Sequence, residues 1–154
     1  MSQNNMRKKP KEIKWLNVWL PIYRISVIVS MGGTVEEIVR WGIQHKVEKT
    51  QFTERWKDWI KKQMEEKTTK GFCCDYGDDN KDVLIWVRKR PQFLSDYRIL
   101  YHEIYHAVDH IANSRNFNVE DKMSEPKAYL FEYLLSEISN PLWNISKSGS
   151  KKRL

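Results

Sequence analysis

The chain has 154 residues, 27 Lys+Arg against 20 Asp+Glu, and a formal net charge of +7. That length suits one domain with a real core. A mean hydropathy of −0.70 leaves no apolar run near the roughly 18 residues of a spanning helix, and seven Trp, seven Tyr and five Phe exclude a chain too polar to fold.

The charge is uneven. Residues 1–14 carry +4 and residues 145–154 another +4, which leaves the stretch between them at −1. The basic excess therefore reads as two flexible, solvated tails around a single domain, 15–144. Such tails offer weak electrostatic contact to nucleic acid or an acidic partner; no membrane partner is expected. Cys73 and Cys74 are adjacent, a spacing that suits neither a disulfide nor a metal knuckle. With no apolar stretch after the first basic residues, a reducing, cytoplasmic setting is expected.

In chain order, Trp15 to Ser30 is rich in Val, Ile, Trp and Tyr, and Tyr23, Ile25, Val27 and Val29 alternate as in a strand. Pro21 implies a bend or an edge there, and Gly32-Gly33 ends the run. Thr34 with Glu37 forms a capping box, predicting a short helix to about Lys46. Trp56, Trp59, Ile60 and Met64 recur at helical spacing within a second helix, about Phe52 to Lys67. Thr68 to Lys81 reads as a loop. Its Asp78-Asp79 run lacks the spaced ligands of a calcium loop and reads as a solvated turn. Val83 to Arg88 reads as a strand ended by Pro91. Ser95 or Asp96 caps a helix to about Asn113. A polar link, 114–123, leads to a last helix from Glu125 to about Ile138, capped by Ser124 and stopped by Pro141.

The chemistry lies in His102-Glu103-Ile104-Tyr105-His106, an HExxH motif. On a helix, residues four apart stand one above the other, so both imidazoles reach one tetrahedral zinc. Glu103 lies about 100° around the helix, where a general base touches a metal-bound water. Tyr97, Leu100, Ile104, Val108 and Ile111 form one apolar stripe, and the two histidines lie roughly opposite it. Asp109 and Ala112 stand where a metzincin has Gly and His, which excludes that class. For a third ligand, Glu125 opens the next helix in a Glu-x-x-Ala pattern in which the small Ala128 would let two helices approach. Asp109 and Glu132 are its rivals.

These residues, with His110 and the run Glu125-Pro126-Lys127-Ala128-Tyr129-Leu130-Phe131, Leu134-Leu135, resemble a minimal zincin of gluzincin type. The chain is most similar to the ImmA/IrrE-like group and to compact zincins of phages and mobile elements. The match covers residues 83–135. Tyr129 stands where the family has Asn, and Tyr105 where Gly is common. The resemblance implies an α+β fold with its metal-site half in 83–140. A small sheet would pack on the HExxH helix, with the Glu-bearing helix on the other side. Strand 83–90 would precede the motif helix, its edge open to an extended peptide. It implies one zinc per chain, held by His102, His106 and Glu125, and hydrolysis of a peptide bond in a specific protein substrate with Glu103 as base. His110 is then a neighbour of the ligands or the oxyanion donor, a part for which Tyr101, Tyr105 and Tyr129 also stand. The alternative implied is a non-catalytic zincin-fold interaction protein of a phage or mobile element.

Overall fold

The computed structural model describes residues 14–45, 52–77, 82–115 and 124–150, the side chains of 124 and 144–150 excepted. The expectations for 1–13, Asp78-Asp79, 116–123 and 151–154 lie outside the described residues.

The element order is β1 (Trp15–Leu20), β2 (Ile25–Met31), α1 (Val35–Gln44), α2 (Glu54–Glu65), β3 (Gly71–Asp75), β4 (Val83–Val87), α3 (Leu94–Ser114) and α4 (Ser124–Ser150). The fold is α+β, a mixed four-stranded sheet in the order β1-β2-β4-β3. β1 and β2 pair antiparallel, β2 and β4 parallel, and β3 and β4 antiparallel. The apolar run is a hairpin, bent where Pro21 implied. Pro21 to Arg24 make its turn, and Arg24 takes the left-handed φ of 52° that reverses the chain.

The period of two in the strands sorts the core into two layers. Ile25, Val27, Val29, Val83, Ile85 and Val87 face α3 and α4. Ile28, Leu84, Trp86 and Phe72 face α1 and α2. β4 is buried along its whole length, as a strand covered on both faces must be.

Four expectations are corrected. Gly71–Asp75, read as loop, is strand β3: five residues between loop-like neighbours, with apolar groups on both faces, give no clean alternation. β4 is not an edge, because β3 pairs along it; among the described residues the free edges are β1 and β3. α4 lies beside α3 on the same face of the sheet, not across from it. And α4 runs through Pro141 to Ser150. Proline removes one backbone donor from the helix, but the stripe Leu130, Leu134, Ile138, Leu142 stays buried beyond it, and Trp143 meets Tyr97 ring to ring at 6.3 Å. That packing carries the helix past the break.

The helix starts follow local chemistry. Thr34 Oγ1 accepts from Glu37 N while Glu37 Oε2 accepts from Thr34 N, the reciprocal cap expected. α3 begins two or three residues early, after Phe93. Asp96 works from inside the first turn, accepting from the backbone N–H of Gln92 and Phe93.

Candidate metal centre

α3 presents three kinds of surface. Tyr97, Leu100, Ile104, Val108 and Ile111 are buried against the sheet and α4, as the stripe predicts. His102 and His106 are exposed on the far side. Glu103 falls between and is only 6% exposed. Its methylene stem lies against the start of β3, where a Cβ on Gly71 would stand 3.2 Å from Glu103 Cγ. Glycine at that point lets helix and edge strand approach.

The two imidazoles converge. Their Nε2 atoms lie 3.0 Å apart, and the rings meet edge to face. Two nitrogens each about 2.0–2.1 Å from one zinc at a tetrahedral angle stand roughly 3.4 Å apart, so the pair is spaced to hold one ion with a small opening. Burial pushes the Glu103 carboxyl above the usual carboxylate range, and the two neighbouring histidines pull it partly back. The carboxyl accepts no hydrogen bond among the described residues and faces an open cleft of about 550 Å³. His102, Glu103, His106, Asp109 and His110 line that cleft from α3, Gly71 to Cys73 from β3, and Trp59 and Gln63 from α2.

His110 Nε2 lies 2.6 Å from Asp75 Oδ1, tying α3 to the end of β3. Burial raises the Asp75 carboxyl and the imidazole opposes the rise. Asp75, placed in a loop by the sequence, is a site residue that sequence reasoning missed; without β3 nothing in its surroundings marks it.

Glu125 is not brought to the pair. It is exposed in the first turn of α4, where its Oε1 accepts from Tyr129 Oη at 3.3 Å. Ala128 is also exposed, so it is not the small contact between helices that the pattern suggested. α3 and α4 are instead joined by Lys127 Nζ to Asp109 Oδ1 at 2.6 Å and by Phe131 against Tyr105. Glu132 is exposed on the same helix. Among the described residues no three His, Cys, Asp or Glu side chains form a group that could hold a metal. The histidines fit a zinc as two of its ligands; the third is not assembled with them.

Cys73 and Cys74 are free thiols on opposite faces of β3, Cys73 toward α3 and Cys74 toward α2. Burial raises both thiols well above their ordinary range.

Comparison with family models, with curated proteins and with solved structures finds no match to this chain.

Proposed function

We propose that the chain is a zinc-dependent metallopeptidase of minimal-zincin arrangement, acting on a peptide bond in a protein substrate. The observation that carries the reading is the convergence of two imidazole Nε2 atoms, 3.0 Å apart, beside a buried carboxylate at a free sheet edge. His102 and His106 would hold the ion, and a carboxylate would complete the set, Glu125 from α4 or Asp109 from the cleft wall. When bound, zinc supplies Lewis acidity that lowers the pKa of water and polarises a carbonyl.

The rest of the reaction belongs to the chain. An extended peptide pairs along the free edge of β3, the strand that lines the cleft, so that its backbone passes the histidines. Glu103 takes a proton from the attacking water as its oxygen bonds to the carbonyl carbon. The carbon–nitrogen bond then breaks, and Glu103 returns the proton to the leaving amine. A carboxyl raised above the usual carboxylate range suits a group that must both accept and return a proton. His110, oriented by Asp75, is the side chain we assign to the developing oxyanion.

A second reading, a non-catalytic interaction protein with the same arrangement, is favoured by one contact: the Glu125 carboxylate is engaged by Tyr129. Elemental analysis of protein purified without added metal separates the two. About one zinc per chain, lost in His102→Ala and His106→Ala, supports the metal centre. A folded, metal-free protein overturns it. Loss of zinc in Glu125→Ala or in Asp109→Ala identifies the third ligand.

A further inference from the structure

The middle of the chain is nearly neutral in sum, yet the fold does not spread its charge evenly. β2 and β4 end side by side, with Met31 opposite Val87. Lys14 lies at that end, its carbonyl accepting from Met31 N. So does Lys70, whose carbonyl accepts from Arg88 N, and so does Gly32, whose N–H reaches Val87 O. The Arg88-Lys89-Arg90 run leaves β4 at the same place. Arg90 donates to Leu142 O, which brings α4 past this end on its way to Ser150. Segments far apart in sequence therefore deliver their cations together.

Three of these cations, Lys70, Arg88 and Lys89, line one cleft of about 350 Å³ together with Lys67, with Ser95, Asp96 and Ile99 of α3 as the opposite wall. Arg88 fixes the shape. Its guanidinium donates to the carbonyls of Met64, Glu66 and Thr69, pinning the α2–β3 connection that carries Lys67 and Lys70. Lys67 and Lys70 are exposed and make no ion pair among the described residues. Lys89 reaches Asp96 at 3.1 Å, the acid that caps α3.

One large ring stands beside this cleft, at the start of α3: Phe93 N donates to Asp96 Oδ2, the carboxylate that Lys89 reaches. The Phe93 side chain is 66% exposed. Cations gathered in a cleft, with an exposed ring beside it, are the two components of a single-strand binding surface: charge for the phosphates and a face for an unstacked base. A lipid headgroup would meet the same cations but gives the exposed ring no base to stack on.

We propose that this end of the folded body binds single-stranded nucleic acid, with Lys67, Lys70 and Lys89 on the backbone phosphates and Phe93 stacking on a base. The surface is separate from the HExxH cleft, so the proposal stands or falls apart from the peptidase reading. It also differs from contact through the basic tails alone, because the residues named belong to the folded body.

The test is fluorescence anisotropy of the full chain with a labelled oligothymidylate, its duplex, and phosphatidylserine vesicles, across a salt series. Single-strand affinity should fall with salt by about 0.7 in log K per log salt for each phosphate contact, so Lys67→Glu/Lys70→Glu should flatten the slope by about 1.4. The same pair should weaken binding about tenfold. Phe93→Ala should weaken binding and leave the slope unchanged. Arg55→Glu/Lys57→Glu, an equal charge change on α2 toward the far end, should do neither. Binding indifferent to Lys67→Glu/Lys70→Glu, tighter binding of the duplex, or capture by vesicles in place of the oligonucleotide would each overturn the proposal.

Discussion

Gly71 is where the edge strand and the site constrain each other, and Gly71→Ala tests the geometry directly. Its φ lies outside the left-handed region, so alanine suits the backbone. The obstacle is space. A Cβ there would stand 2.9 Å from Ile99 Cγ2, 3.2 Å from Glu103 Cγ and 3.2 Å from the Trp86 carbonyl. Carbon pairs settle at about 3.5–4.0 Å, so the methyl is short by about 0.6 Å against Ile99. Ile99 is half-buried and can give. The Trp86 carbonyl sits in the central strand and cannot, so β3 must lift from α3 beside Glu103.

Overpacking of this kind costs roughly 1–3 kcal/mol, against which the stiffer unfolded chain returns about 0.4–1 kcal/mol. A net loss of about 1–2 kcal/mol should lower Tm by roughly 2–8 °C in a domain of this size. Urea unfolding followed by tryptophan fluorescence measures it, and turnover of the folded variant should fall with zinc still bound. Gly42→Ala is the control. Its Cβ would stand 2.6 Å from Phe52 Cζ and 2.7 Å from Tyr76 Oη, on the α1 side of the sheet. It should destabilise at least as much and leave zinc uptake of the folded protein intact. If Gly71→Ala is as stable as the parent chain, β3 does not press on α3 and the site geometry argued here is wrong.

Glu103→Gln should lower peptide turnover by about 10²–10⁴ with zinc retained; unchanged turnover removes Glu103 from the chemistry. Because burial raises the Glu103 pKa in the folded state, its ionisation opposes folding. Metal-free parent protein is therefore favoured below the unfolded pKa of about 4.3 and loses that advantage as pH rises through the folded value. Glu103→Gln should gain stability relative to the parent at pH 7 and not at pH 4, in chelator-treated unfolding curves. Asp96 runs the other way. Backbone hydrogen bonding from Gln92, with Lys89 beside it, lowers its pKa, so its contribution is present above about pH 3.9 and lost as pH falls through the folded value. Asp96→Ala should cost about 1 kcal/mol at pH 7, and Asp96→Asn should flatten the acid limb of the stability curve. Both thiols, raised by burial, should react with an aromatic disulfide reagent far more slowly in folded than in urea-unfolded protein; equal rates would contradict their burial.

What the sequence disclosed follows from where the signal was local. The α1 cap and the α3 stripe each lie within a few residues and stand in the fold where the spacing puts them; of the α2 stripe, Trp56 and Ile60 are buried and Trp59 is exposed. The hairpin, β3 and the end of α4 depend on partners far along the chain. Cys73 pairs with Ile85 and Cys74 with Leu84, and only that ladder makes a strand of Gly71–Asp75. Pro141 argued for a helix end by local chemistry, and burial of Leu142 outweighed it. At the site, His102, Glu103 and His106 were legible because one helix carries all three. Asp75 and the basic cleft were not, because the sheet assembles them from β3, β4 and the α2–β3 connection.

The surroundings of Glu103 bear on which functional reading they favour. A buried carboxylate kept for stability is expected to carry a partner, since an ionised group removed from water without one costs free energy. The half-buried acids among the described residues, Asp82, Asp96 and Asp109, meet that expectation, as does the more exposed Asp75. Asp96 caps α3, Asp82 Oδ1 accepts from Ser26 N, Asp109 pairs with Lys127 and Asp75 with His110. Glu103 is the most buried acid among the described residues and accepts no hydrogen bond from any of them. Its charge is offset only by the two imidazoles beside it, and its carboxyl faces the cleft. A local rule broken where three groups converge is the pattern of a site rather than of a scaffold. A leucine in the same position would pack against Ile99 and Gly71 without the desolvation cost, so Glu103→Leu should yield a more stable, inactive protein. If Glu103→Leu instead unfolds the chain, the carboxylate serves the fold, and the peptidase reading loses its base.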